Sequence, residues 1–484
     1  MKRRPWARAL WAGLLALGPV LPAAGAALTE CRLPGLRHAV QCGVLQRPLD
    51  PARPEATRIA IHYMVVPALA RRKLADPVFL LAGGPGQSAI DLAPQVMPLF
   101  ARLNNRRDIV FVDQRGTGRS APLACADERR APLSEQADPA RQASRLIDCL
   151  ERLRALPHGD LRQYTTSIAV QDLDAVRADL GAAQINLVGA SYGTRVALEY
   201  QRQFPQSLRR SVLDGVAPPD MDLIASGAID SRSALEAIFA ACAGEAACGA
   251  RYPRLRENWD ALLASLPRPI EVEHPLTGAI ERLTLTPEML LGIVRGPLYA
   301  PALAAALPAA IDAAARGDWR GLTGLGSLLQ QRRGTQLAMG MHLSVVCAED
   351  RASLGSDRPV AESTEHGAAR LYRQVCAAWP MGDVSAGFYS MSSARSPVLL
   401  LSGGLDPATP PRHAERVARA LGPLARHAVV ANAGHGVMAL PCLRDAVFRF
   451  IDAADAVEAA GVDLACARDV PRPPAYLPLA GGSP

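Results

Sequence analysis

Ser191 stands between two glycines in Gly189-Ala190-Ser191-Tyr192-Gly193. This is the G-x-S-x-G spacing of a serine held on a tight turn between a strand and a helix. Glycines two before and two after the serine leave room for backbone that packs too closely for a Cβ. A serine hydroxyl is a poor nucleophile until a base takes its proton. Two later residues have the types to complete that chemistry. Asp406 lies in Gly403-Gly404-Leu405-Asp406-Pro407, and His435 in Asn432-Ala433-Gly434-His435-Gly436. An imidazole of ordinary pKa, about 6.5, can accept a proton near neutrality. A carboxylate can orient that ring and stabilise its protonated form. The chemistry would be acyl transfer through a serine ester. Asp214 is the rival acid, and Asp406 is preferred because it ends the strand preceding that of His435. The bland alternative for the motif is a glycine-rich turn capped by Ser191.

Acyl transfer also needs donors for a developing oxyanion. The N–H of Tyr192, with one from Gly83 or Gly84, is the candidate pair. Gly83-Gly84-Pro85-Gly86 follows an apolar run, and a glycine-rich turn there can present bare N–H groups at a sheet edge. Asp113 and Arg115, in the loop after the next strand, are expected to pair and brace it.

These groups can meet only if the strands before them lie side by side. Apolar runs at 57–66, 77–82, 108–112, 185–188, 211–213, 397–402 and 427–431 read as strands. Residues 125–157, 166–180, 195–203, 413–421 and 442–454 read as helices, with Thr166 or Ser167 as a cap and Gly181 as a stop. Strands alternating with helices indicate a doubly wound, mostly parallel sheet, an α/β fold. Each candidate residue follows a strand, so all would gather at one sheet edge. From 220 to 390 the chain is rich in Ala and Leu, with helical periods and few strand-like runs. This predicts an inserted helical cap between core segments 27–219 and 391–470. A proline-rich tail, 471–484, follows.

The first 26 residues carry Lys2, Arg3, Arg4 and Arg8, an apolar stretch Ala9 to Leu21, and Ala24-Gly25-Ala26. They read as an export signal ending in a cleavage site. With its four basic residues set aside, the net charge of +7 falls to +3. That balance offers no basic stripe and argues against nucleic acid. Ten cysteines, all after the signal, suggest disulfides in an exported protein. Short loops favour the sequential pairs 31–42, 125–149, 242–248, 347–376 and 442–466. No cysteine or histidine spacing suggests zinc, and no cofactor is expected. Nor is membrane attachment expected once the signal is removed.

Together the motifs resemble a known group. Gly83-Gly84-Pro85-Gly86, Asp113-Gln114-Arg115-Gly116, Gly189 to Thr194, Asp406-Pro407-Ala408-Thr409-Pro410 and Gly434-His435-Gly436 run in family order. They are similar to those of the α/β-hydrolase-fold serine peptidases that include prolyl aminopeptidase and the secreted bacterial tripeptidyl aminopeptidases. Ala82 replaces the His usual before the glycine turn in small prolyl aminopeptidases, and Tyr192 their usual Trp. Both changes, the signal and the large cap point to the tripeptidyl branch. The resemblance implies an α/β-hydrolase fold, a short-peptide substrate and a Ser191–Asp406–His435 triad. An aminopeptidase must also bind a charged α-amine, and cap acids do so in related peptidases. Glu349 and Asp350 are the candidates. An esterase or other amide hydrolase would use the same triad, and a catalytically inactive binding protein the same fold.

Overall fold

Nine strands make one twisted sheet, with the site at its middle. The computed structural model describes residues 28–327, 336–350 and 366–478. The expected signal, 1–26, and the end of the tail lie outside them. The strands are β1 (Thr29–Cys31), β2 (Val40–Pro48), β3 (Arg58–Val66), β4 (Val78–Leu81), β5 (Ile109–Val112), β6 (Ile185–Ala190), β7 (Leu208–Asp214), β8 (Arg268–Glu273), β9 (Ile280–Leu285), β10 (Val398–Gly403) and β11 (Ala425–Val430). The large sheet runs β1-β2-β3-β5-β4-β6-β7-β10-β11, and β8-β9 form a separate pair. From β5 to β11 every pairing is parallel, while β1, β2 and β3 add antiparallel partners at one end.

The parallel strands are apolar throughout because both faces are covered. In β4, Phe79 and Leu81 join one buried cluster, while Val78 and Leu80 join the other. This is the period-two alternation of a strand packed on both sides. Burying a side chain such as Phe79 contributes roughly 1.5–3 kcal/mol.

Strand order also locates the site. From β4 the chain crosses to β5 on one side, and from β6 it crosses to β7 on the other. The loops after β4 and β6 therefore part above the sheet's C-terminal edge, opening a crevice at the switch point. Gly83 follows β4, and Ser191 follows β6.

The inserted region is mainly helical, from Leu223–Gly244 to His366–Cys376. It has its own core, including Phe239, Trp259, Leu290, Leu307 and Ile311. Beside its helices it also contains the β8-β9 hairpin. The expected helix over 125–157 begins later, as Leu133–Ala137 and Pro139–Arg154. The tail packs on the cap, with Tyr476 N–H donating to Ala305 O. Five disulfides join the nearest-neighbour pairs, from Cys31–Cys42 to Cys442–Cys466.

Candidate active site

Ser191 sits between β6 and the helix Tyr192–Gln203 with φ 56° and ψ −124°. That left-handed backbone is costly for a residue with a side chain and is over-determined here by its surroundings. A Cβ on Gly189 would lie 2.5 Å from Gly193 O, and one on Gly193 only 2.2 Å from Leu81 O. No larger residue fits either position. Ser191 N–H donates to Asp214 O, and Thr194 Oγ1 donates to Ser191 O at 2.6 Å. Thr194 Oγ1 also accepts from Ala217 N–H. The turn is thus tied to β7.

His435 and Asp406 arrive from β11 and β10. His435 Nδ1 donates to Asp406 Oδ2 at 2.7 Å. Asp406 Oδ1 accepts from the N–H groups of Ala408 and Thr409, at 2.8 and 2.9 Å. Thr409 Oγ1 donates to Oδ2 at 2.8 Å and lies 3.2 Å from His435 Nδ1. Burial opposes the Asp406 charge, but His435 and these donors outweigh it and hold the carboxyl below its ordinary value. Burial also opposes the imidazolium, yet the Asp406 charge and hydrogen bond hold the His435 pKa above its ordinary value. With Nδ1 committed to Asp406, Nε2 is the nitrogen left to act as a base.

Ser191 and His435 both neighbour the corner after β7. Gly215 follows Asp214, the acceptor of the Ser191 N–H, and a Cβ on Gly215 would lie 3.1 Å from His435 Cε1. Among the described residues no hydrogen bond yet joins the Ser191 hydroxyl to the ring, as is common in enzymes without substrate. Asp214 does not contact the imidazole's N–H. Its two oxygens accept from Val437 and Met438 N–H, both at 2.9 Å, fixing the chain just past His435.

Gly83 packs beside the serine, where a Cβ would be 3.2 Å from Ser191 Cβ. Tyr192 is the first residue of its helix, so its N–H has no intrahelical acceptor. Gly84 faces the cap instead, against Leu337. The Pro85 carbonyl accepts from His342 Nδ1 at 3.0 Å, and His342 Nε2 bonds Tyr372 OH at 2.7 Å. The cap therefore clamps the glycine turn.

Two sequence expectations need correction. Glu349 and Asp350 do not line an open cavity. Their side chains are fully buried and share Arg195 Nη1, at 3.2 and 3.3 Å. Thr166 N–H occupies Glu349 Oε1, and Leu223 N–H occupies Asp350 Oδ2. Their lone pairs tie the cap to the elbow helix, leaving no open face for an amine. Nor do Asp113 and Arg115 pair. Asp113 accepts from Ser88 Oγ, Ile90 N–H and Arg119 N–H. Arg115 grips Asp172 at 2.7 and 3.0 Å. Both brace their loop, but separately.

Sequence reasoning missed two neighbours of the triad candidates, Thr409 and Tyr299, and one of the glycine turn, His342. Thr409 had a signal, since a hydroxyl three residues after Asp406 is placed to bond it locally. His342 and Tyr299 had none, because their contacts cross the cap boundary. Tyr299 O accepts from His435 N–H at 3.0 Å, and its ring meets the imidazole edge-on at 5.2 Å.

Comparison with known proteins agrees with this geometry at the level of the fold. Residues 76–234 match the family "alpha/beta hydrolase fold", and residues 363–461 match the family "TAP-like protein". The chain is 32% identical over 206 residues to a tripeptidyl aminopeptidase of Streptomyces lividans, covering 39% of this chain and 37% of that protein. The match thus spans little more than a third of that relative's length. It is 27% identical over 431 residues to serine protease Hip1 of Mycobacterium tuberculosis, covering 79% and 78%. It is also 27% identical over 427 residues to carboxylesterase B of the same species, covering 80% and 79%. With its parallel sheet, its strand-to-helix elbow and these two family matches, the chain has the α/β-hydrolase fold.

Proposed function

We propose that this chain is an exported serine peptidase acting through an acyl-enzyme, with short peptides cleaved near their N-terminus as substrates. Ser191 is the nucleophile, His435 the general base and Asp406 the carboxylate that orients it. The observation that carries the reading is the 2.7 Å Asp406–His435 hydrogen bond, one sheet corner away from the elbow serine. His435 Nε2 takes the hydroxyl proton as Ser191 Oγ attacks the scissile carbonyl. The N–H groups of Tyr192 and of Gly83 or Gly84 receive the oxyanion. Removing one such donor typically costs roughly 2.7–4 kcal/mol of barrier stabilisation. The imidazolium then protonates the leaving amine, and water, activated by the same ring, releases the acyl group. The relatives named tripeptidyl aminopeptidase and serine protease support a peptide substrate. Five disulfides support export to an oxidising compartment, as does the expected signal. Among the described residues no helix is long and apolar enough to cross a membrane.

The carboxylesterase relative favours a second reading, an ester substrate with the same triad. A panel of aminoacyl, dipeptidyl and tripeptidyl chromogenic amides beside acetyl and butyryl esters separates the two. Ser191→Ala should abolish labelling by a fluorophosphonate and lower turnover by several orders of magnitude, up to about 10⁶-fold. Retention of more than roughly a tenth of activity would place the nucleophile elsewhere, far outside that range.

A further inference from the structure

Three of the buried arginines are matched by acids, while Arg210 is held by the carbonyls of Ile451 and Asp455. Arg107 meets Asp76 and Asp452, Arg115 meets Asp172, and Arg195 meets Glu349 and Asp350. Arg295 differs. It lies on the cap helix Pro287–Leu298, one turn before Tyr299. Its Nη2 donates to Tyr299 OH at 3.3 Å, while its Nε is enclosed and has no hydrogen-bond partner. Among the described residues no carboxylate lies within ion-pair distance of it. A partly enclosed guanidinium with no counter-charge is costly, and a bound anion would relieve that cost.

Its position matters as much as its charge. The Arg295 guanidinium sits 6.0 Å from the centre of the Tyr299 ring, and that same ring meets His435. Arg295 is close enough for its charge to act on both His435 and Tyr372. It lines a cavity of about 440 Å³ with Gly227, Ser231, Leu235, Trp259 and Leu298. Ser231 Oγ of that lining donates to the carbonyl of Pro407, the residue next to Asp406. Its acids, Glu236, Asp260 and Glu288, form no ion pair with Arg295, and Glu236 pairs with Arg256. On the Gly227 side a Cβ would come to 3.3 Å from Nη2. Glycine there keeps the fork uncovered.

We propose that Arg295 is a specificity-determining residue that receives a carboxylate of the substrate. The planar guanidinium offers its Nη groups for a charge-assisted contact. The carboxylate has two sources, the free C-terminus of a short peptide or an acidic side chain. This deepens the peptidase reading above and rests on it.

The test uses four versions of one cleavable peptide: free or amidated at the C-terminus, and with Glu or Gln at one position. Wild-type protein should favour one carboxylate member by about tenfold or more in kcat/KM, the worth of a charged hydrogen bond. Arg295→Gln should collapse that ratio towards one, and Arg295→Lys should keep part of it. The pair that discriminates identifies the source. No discrimination by wild type overturns the proposal whatever the variants do. So does an Arg295→Gln protein whose charged and neutral substrates decline equally. Fluorophosphonate labelling of each protein is the control. Labelling without charge discrimination overturns only the Arg295 assignment, whereas a wild-type protein that does not label overturns the serine-hydrolase reading and this one with it.

Discussion

Asp406 with His435 and the Glu349–Asp350 pair with Arg195 are both carboxylates holding a base close to the elbow. In the first cluster the imidazole keeps 18% of its side chain exposed, while Asp406 keeps none. In the second all three side chains are fully buried. The partners differ too. A histidine can give up its proton near neutral pH, whereas an arginine cannot. The difference teaches what separates a working cluster from a structural one. A carboxylate can serve chemistry when its partner titrates and one edge faces the substrate. The same carboxylate sealed around a permanent cation joins elements, here the cap to the elbow helix.

The largest effect expected from breaking this contrast is on turnover. Asp406→Asn keeps the shape of the first cluster but removes the charge that orients and stabilises the imidazolium. Turnover should fall on the order of 10⁴-fold, as in other triads, while the thermal unfolding curve shows a folded protein. Single-turnover kinetics beside a melting curve checks both. A fall of only a few-fold would hand the acid's role to Asp214.

Next in size is the second cluster. Arg195→Met leaves Glu349 and Asp350 buried without a cation. Breaking a buried pair in this way typically costs about 3–5 kcal/mol. Denaturant unfolding should register that loss, and substrates with free and blocked N-termini should be affected alike. A loss confined to free-amine peptides, with stability intact, would return the two acids to the role of amine receptor.

What the sequence made legible follows from how local each constraint is. The parallel strands stood out because burial on both faces leaves little but Val, Ile, Leu and Phe, as in Ile109–Val112. β2, VQCGVLQRP, alternates instead, and Gly43 interrupts it so that the Tyr63 ring can lie over the backbone. β8 and β9 are short, half-exposed and charged, so they vanished among helical periods. Ser191 and its glycines were legible because the turn dictates them residue by residue. Glu349 and Asp350 were misread because adjacent acids look the same whether they face a substrate or a buried guanidinium. Arg195 stands 154 residues away from Glu349 in sequence. Asp113 and Arg115 erred the other way, since nearness in the chain was taken for nearness in space. The lack of a counter-charge for Arg295 is a property of the packed cap, and nothing in PEMLLGIVRGPL announces it.

The smallest effect, and the one that most sharpens the contrast, is in pH dependence. Burial and the Arg295 charge push the His435 pKa down, while Asp406 and Asp214 push it up, and the net direction is up from 6.5. The base must be neutral to accept the serine proton, so kcat/KM should rise with pH along a limb centred above 6.5. In Asp406→Asn the limb should move down, because the largest upward influence is gone. Stability runs the opposite way. A raised histidine pKa contributes stability that is present below 6.5 and lost as pH climbs through the folded value. A lowered Asp406 pKa contributes stability that is present above 3.8 and lost as pH falls through the folded value. The pair thus stabilises the fold most between those two pH values, where the imidazolium is charged and catalysis is off. Melting temperature and kcat/KM measured across that window should move in opposite directions as pH rises past 6.5, in wild type but not in Asp406→Asn. Parallel curves would mean that some group other than His435 sets the limb.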